Sequence, residues 1–288
     1  MSDKTIRLLF PEWQGGDNPN YYFGAHLLEF LAPKSNECKT IEVPVYLPAE
    51  GMPPIEYGVV AGKAIEKQQK TAMRILKAEN PDRIITFGGD CSVEQAPIDY
   101  LHGKYGKELG LIWIDVHPDF SEPDDFKHEH AHVLGNLLGG GCPKLAEIVE
   151  NPLTTDQVMY AGLKTQDLEN YEKKHMEHYK LKYATPDSLK KDSSEVICWI
   201  LENGFKKIVI HWDLDVLSPI DFRSLLCNEP HMPPVEYAVG DMYLDEIGRL
   251  INDISKAADI VGLGITEYMP WDAIRLNRTL SSIDIFKD

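Results

Sequence analysis

The sequence predicts an α/β fold: a central, mainly parallel sheet of about eight strands with helices on both faces. Three observations predict it. Short apolar runs of strand character alternate with helical stretches along nearly the whole chain, the pattern that parallel sheets with crossover helices produce. One of those runs, Leu111–Ile114, is apolar throughout and ends abruptly in Asp115. Four of the runs end in polar chemistry, at Asp90-Cys91, Asp115-Val116-His117, Asp213-Leu214-Asp215 and Glu267. In open α/β sheets ligands collect beyond the carboxyl ends of the strands, so the four endings predict one composite site.

In chain order, Thr5–Phe10 reads as the first strand, followed by a Gly/Asn-rich loop at 15–20 and a short helix over Ala25–Leu31. Thr40–Val45 reads as a strand. Residues 57–79 read as an amphipathic helix with Val60, Ala64, Thr71, Ile75 and Leu76 on one stripe, stopping at Asn80-Pro81. The strand Arg83–Phe87 runs into Gly88-Gly89-Asp90-Cys91-Ser92, and a helix follows through Tyr100. After the strand that ends at Asp115, a helix is expected near 134–149 and a strand over Gln157–Leu163. Residues 164–192 are charged and mixed, with a weak strand candidate at Leu181–Ala184. A helix over Ser194–Asn203, closed by Gly204, leads into the strand Lys207–Trp212. A proline-rich loop, Leu217–Met242, reads as a rim of the site. A helix at 243–257 and the strand Asp259–Ile265 complete the pattern, and a single domain over 1–288 is expected.

Composition sets further bounds. The formal net charge of −17 argues against nucleic acid as a partner, because phosphate binding needs a basic surface. The five cysteines, Cys38, Cys91, Cys142, Cys198 and Cys227, include no CxxC pair, which fits reduced thiols and a cytoplasmic protein. No apolar run approaches the roughly 20 residues of a membrane span, and the N-terminus lacks the apolar core of a signal peptide. A soluble protein with no membrane partner is expected.

The central stretch, Leu111-Ile-Trp-Ile-Asp-Val-His-Pro-Asp119, carries the chemistry. Residues two apart on a strand point to one side, so Asp115 and His117 converge, while Pro118 places Asp119 on the turn beyond. Asp213 and Asp215 repeat the spacing. So many carboxylates at one place need cations between them. Oxygen-rich sites with some imidazole suit Mn²⁺, Fe²⁺ or Mg²⁺.

The motif set Gly88-Gly89-Asp90-Cys91-Ser92, Asp115-Val116-His117-Pro118-Asp119, Asp213-Leu214-Asp215 and Glu267-Tyr268-Met269-Pro270 resembles, in order and spacing, that of the arginase/agmatinase (ureohydrolase) family. The likeness spans roughly 84–270. It implies a three-layer α/β/α fold with a central eight-stranded sheet, and a homo-oligomer, trimer or hexamer. It also implies two Mn²⁺ ions: one held by Cys91, Asp115, Asp119 and Asp213, the other by Asp115, His117, Asp213 and Asp215, with Asp115 and Asp213 bridging. By the same resemblance, a hydroxide bridging the metals attacks a small cationic guanidino substrate and releases urea or hydroxyurea. The implied catalytic set is Glu267, which pairs with the guanidinium, His130 as proton shuttle, and Asp119. His132 and His128 are the lesser candidates for the shuttle.

Three positions depart from the family pattern. Cys91 stands where arginases carry a metal-binding histidine, an exchange similar to that in a branch acting on N-hydroxyarginine; its softer sulfur shifts preference toward Fe²⁺ or Zn²⁺. The loop Phe120–Lys127 is acidic and shorter than its family counterpart, and reads as a solvated charged loop. In Val216-Leu217-Ser218-Pro219, Ser218 stands before the proline where the family usually has an aspartate. These departures leave two other readings open: a retired ureohydrolase acting as a binding or regulatory protein, and a hydrolase of another linear C–N bond such as a formimino group.

Overall fold

The computed structural model describes residues 3–48 and 53–286; residues 1–2, 49–52 and 287–288 of the expected 1–288 domain lie outside the described residues. Eight strands, β1 (Thr5–Phe10), β2 (Lys39–Glu42), β3 (Arg83–Gly88), β4 (Leu109–Ile114), β5 (Val158–Ala161), β6 (Lys182–Ala184), β7 (Lys207–Asp213) and β8 (Asp259–Thr266), form one sheet. Every pairing in it is parallel. The spatial order is β2-β1-β3-β8-β7-β4-β5-β6.

This order makes the site possible. The chain passes from β3 to β4 without placing them side by side, and β7 and β8, formed much later, fill the gap between them. The four strands whose ends carry polar residues are therefore immediate neighbours. Because all run the same way, their carboxyl ends share one edge.

β4 shows why the apolar runs become central strands. Leu109, Leu111 and Trp113 point into one core, with Ala72, Met73, Ile98, Leu101 and Met176 from the helices on that face. Ile112 and Ile114 point the other way, against Val196, Trp199, Ile247, Leu250 and Ile254. A strand covered on both faces needs apolar side chains at odd and even positions alike.

Several element boundaries differ from the sequence expectation. The first helix starts earlier, at Asn20, and the second strand is shorter, Lys39–Glu42. The helix expected from residue 57 begins at Gly62, because Ile55–Glu56 and Val59–Val60 pair as a small antiparallel hairpin. Tyr57, Gly58 and Ala61 all have positive φ there, which no helix allows. The buried stripe of that helix also differs: Ile65, Gln68, Gln69, Ala72, Met73 and Leu76 are buried, while Ala64, Thr71 and Ile75 are only half-buried. Gln68 and Gln69 look like surface residues in sequence. They are buried because Gln68 donates to Glu12 and Gln69 donates to the Ser92 carbonyl.

The helix near 134–149 is broken into Val133–Leu137 and Pro143–Ala146. Gly139 and Gly141 adopt positive φ and turn the chain between them. The mixed segment 164–192 holds two helices, Asn170–Tyr179 and Pro186–Lys191, around the short strand β6. Helix Ser194–Asn203 ends as expected on Gly204 in the left-handed conformation.

Among the described residues, no helix is long and apolar enough to cross a membrane, and all five cysteines are free.

One glycine holds the edge of the site. A Cβ on Gly89 would lie 1.6 Å from the Glu12 carbonyl oxygen, and that carbonyl accepts from Asp90 N while Gly89 N donates to Phe10 O. The chain after β3 thus lies directly against the chain after β1. Gly89→Ala is expected to destabilise the fold by about 3 kcal/mol or more, since backbone rather than a mobile side chain must shift. Urea denaturation of the parent and variant checks this, and a change under about 1 kcal/mol would contradict the close approach.

Candidate metal centre

Each ligand-type side chain owes its position to a strand end. Asp115 follows β4 directly, and its Oδ1 accepts from His117 N at 2.6 Å, turning the chain off the sheet. Asp213 closes β7 and accepts from Asp215 N at 2.6 Å in the same way. The i, i+2 spacing therefore builds a turn in which the first carboxylate anchors the backbone of the second ligand residue. His117 and Asp215, one from each turn, meet across the gap at 2.9 Å, with Asp115 Oδ1 3.7 Å from the same imidazole nitrogen.

Cys91, on the short 3₁₀ turn after β3, aims its thiol at Asp213 Oδ2 at 2.8 Å and lies 3.8 Å from Glu267 Oε1. Glu267 follows β8, and its two oxygens take different partners. His130 Nδ1 lies 2.9 Å from Oε1, and Tyr21 donates its hydroxyl to Oε2 at 2.8 Å. Of the three candidate histidines, only His130 reaches this carboxylate. The His132 ring is fully buried, with Nδ1 3.5 Å from Glu129 Oε2 and away from Glu267, and His128 packs against Phe126.

The backbone is strained at two of these residues. Asp119 has φ 45° and Glu267 has φ 62°, the left-handed region that non-glycine residues seldom occupy. Aspartate tolerates this region better than most residues, whereas glutamate does not. Both residues are held by their surroundings: Asp119 O accepts from Leu134 N and Gly135 N, and Glu267 N donates to Gly89 O.

Ligand-type atoms fall into three groups, each within 4.8 Å: Cys91, Asp115, Asp119 and His211; Cys91, Asp213 and Glu267; and Asp115, His117 and Asp215. All six expected metal positions are thus gathered, together with Glu267. Asp119 Oδ2 and Asp215 Oδ1 are buried without a hydrogen-bond partner. An anionic donor set with orphaned carboxylate oxygens fits divalent cations.

The electrostatics agree. Burial, then the neighbouring carboxylates, push Asp115 and Asp213 well above the usual carboxylate range. Burial lifts Asp119 to about 7, despite the opposing pull of His130 and His117. Burial would lower His117 and His130, but Asp215 for the first and Glu267 for the second outweigh it and lift each to about 9. Burial likewise pushes Asp215 up, yet the charge and hydrogen bond of His117 leave it below the usual range.

A family model described as Arginase family matches residues 32–280. The chain belongs to the arginase family. It is 26% identical over 194 residues to an arginase of Entamoeba histolytica, a match covering 65% of this chain and 62% of that protein. It is 30% identical over 223 residues to an arginase of Plasmodium berghei, covering 75% of this chain and 60% of that protein. These matches span under two thirds of the relatives' own length. Among solved structures, the Entamoeba histolytica arginase in complex with L-ornithine superposes with a TM-score of 0.76 at 20% identity, covering 93% of this chain and 91% of that one. The formimidoylglutamase of Bacillus subtilis superposes with a TM-score of 0.68 at 16% identity, covering 94% and 81%. The eight-stranded parallel sheet with helices on both faces is the arginase-like fold.

Two neighbours of the site were not singled out in the sequence. Tyr21 has no local signal, since it meets Glu267 across 246 positions of chain. His211 could have been found by carrying the i, i+2 rule one step back from Asp213. The rim reading of the proline-rich loop has a contact behind it: the Tyr237 ring lies 6.2 Å from His117. The loop after Asp119 is less solvated than expected. Phe120 is buried and stacked on His175, and Ser121 is buried as well. Asp125 faces His175 at 3.4 Å, while Lys127 donates to the Pro123 carbonyl.

Without metal, the folded protein binds more protons at this cluster than the unfolded chain does, because the Asp115, Asp119 and Asp213 values are raised. Their effect is a loss of stability as pH rises from about 4 through the Asp119 value of about 7. His117 and His130 act in the same direction: their contribution is full below about 6.5 and is lost as pH passes about 9. Asp215 titrates below this window. The Tm of metal-free protein is therefore expected to fall by about 5 °C or more between pH 5 and pH 8.5, and saturating Mn²⁺ to remove most of the fall. A Tm independent of pH and of Mn²⁺ would contradict the clustering.

Proposed function

We propose that this chain is a metal-dependent hydrolase of a guanidino compound, of arginine, N-hydroxyarginine or agmatine type, releasing urea or hydroxyurea. The observation that carries the reading is the meeting of two ligand-bearing turns, Asp115–Asp119 and Asp213–Asp215, directly beside the Glu267–His130 pair. Ions would be held by Cys91, Asp115, Asp119 and Asp213 on one side, and by Asp115, His117, Asp213 and Asp215 on the other. When bound, a pair of divalent ions supplies a water acidic enough to act as a nucleophile at neutral pH.

The chain's own groups do the rest. Glu267 is a carboxylate buried beside the ligand cluster and pairs with the guanidinium of the substrate. Tyr21 fixes one of its oxygens, so the carboxylate plane is set before substrate arrives. His130, within hydrogen-bond reach of the other oxygen, carries a proton to the leaving amine. Asp119, whose one oxygen is unpartnered, orients toward the ions from its strained turn. Tyr237, on the proline-rich loop, lies over the partly open His117 side.

The intact set of carboxylates and imidazoles favours an enzyme over a retired binding protein, since a binding role would not require these orphaned buried oxygens. Substrate identity rests on the loop after Asp119. Asp125 faces His175 and Lys127 donates to the Pro123 carbonyl, so neither is free to meet an α-amino acid end. A formimino compound is the second reading, favoured by the likeness to a formimidoylglutamase. We further read the whole of 1–288 as one domain, in a cytoplasmic homo-oligomer, trimer or hexamer, with Mn²⁺, Fe²⁺ or Zn²⁺ as the ions.

Protein loaded with Mn²⁺ is expected to release urea or hydroxyurea from at least one of arginine, N-hydroxyarginine and agmatine, measured by colorimetric assay alongside a formimino substrate. Glu267→Gln is expected to lower kcat/KM by about 10³-fold. His130→Asn is expected to lower kcat by about 10²-fold or more, with metal content unchanged. Asp213→Asn is expected to abolish activity and to lower the number of ions retained by at least one. Release of formamide and the free amine from the formimino compound alone would move the assignment to the second reading. No turnover on any of them, with no metal taken up, would remove the hydrolase.

A further inference from the structure

His211 lies one pleat below Asp213 on β7, opposite Trp113 of β4. Its ring is fully buried and stacks on the Trp113 indole, with centroids 3.7 Å apart and planes 22° apart. Stacking fixes the plane of the imidazole but satisfies neither nitrogen, and neither has a hydrogen-bond partner among the described residues. The nearest carboxylate oxygen, Asp115 Oδ2, is 3.8 Å from Nε2 and already accepts from Trp113 Nε1 at 3.1 Å. That separation is too long for a hydrogen bond. Buried polar groups without partners are rare and call for one.

A partner is available in the geometry. Ligand atoms of Cys91, Asp115, Asp119 and His211 lie within 4.8 Å of one another, and all four residues are buried. Asp119 contributes to the same space a carboxylate oxygen that is itself without a partner.

We propose that His211 is a metal ligand, forming with Cys91, Asp115 and Asp119 a four-donor site of one sulfur, one nitrogen and two oxygens. The inference rests on the metal-centre reading above and changes its inner half. The deeper ion is held by an imidazole from within the sheet, and Asp213 is left to face the outer ion. A Cys-His-carboxylate set of four donors suits a tetrahedral ion of borderline softness, Zn²⁺ or Fe²⁺, better than Mn²⁺. Binding displaces the thiol proton of Cys91, which now points at Asp213 Oδ2, and that proton passes to solvent as the sulfur–metal bond forms.

The test is X-ray absorption at the zinc edge, on protein stripped of metal and given one equivalent of Zn²⁺. It is done in a His117→Ala background, so that the outer site cannot supply its imidazole. The expected spectrum shows one sulfur at about 2.3 Å together with imidazole scattering on the same ion. In the His117→Ala/His211→Asn protein the imidazole signal is expected to disappear while the sulfur stays, with Zn²⁺ affinity weakened about tenfold or more. Absence of sulfur or imidazole in the first protein overturns the proposal, as does an imidazole signal that survives His211→Asn. The first protein decides even if the second fails to fold. A parent that binds two ions and turns over substrate while these spectra fail removes His211 alone. A parent that binds no metal removes the hydrolase reading with it.

Discussion

The structure depends on one electrostatic conflict. Asp115, Asp119 and Asp213 are buried at a single edge of the sheet, each with a proton affinity raised first by burial and then by neighbouring charges. Removing a carboxylate from water is costly, and placing several together compounds the cost. Only part of it is offset within the chain, by backbone N–H groups at the two turns and by the His117–Asp215 and His130–Glu267 pairs. Like charges are tolerated in this arrangement when counter-charge is to be delivered from outside. That is the physical signature of a cation site, whose stability belongs partly to the ions it holds.

The sheet is what makes the conflict sustainable. β3, β8, β7 and β4 are central strands, buried on both faces and parallel, so their carboxyl ends cannot splay apart to relieve the repulsion. Arg83 and Lys207, at the opposite edge, pair with Asp259 and hold the starts of three of these strands in register. Strain collects at the active edge instead. Asp119 and Glu267 take left-handed backbone conformations, and Gly89 lies against the Glu12 carbonyl with no room for a side chain.

The two sides of the cluster differ in softness and in access. The Cys91–His211 side is fully buried and holds the sulfur, whereas the His117–Asp215 side is partly open and capped by Tyr237 on the proline-rich rim. Glu267 stands between them, within 3.8 Å of the thiol and hydrogen-bonded to both His130 and Tyr21.

Much of this was legible in the chain. Strand-end chemistry at Asp115, Asp213 and Glu267, the i, i+2 pairing of ligands, and the alternation of strands and helices are local patterns. They survive because central strands and tight turns leave a short segment few alternatives. Boundaries were read less well wherever backbone conformation overrode side-chain periodicity: at Tyr57–Ala61, where positive φ delays a helix, and at Gly139–Gly141, where glycines break one. The ladder order was decided only in three dimensions, because β7 and β8 come to lie between two strands made much earlier in the chain. So were the meeting of Tyr21 with Glu267, separated by 246 positions, and the approach of His211 to Cys91. Local sequence sets which side chains stand at a strand end. Which strand ends become neighbours depends on long-range pairing, and that pairing is what brings this chain's carboxylates, thiol and imidazoles into one site.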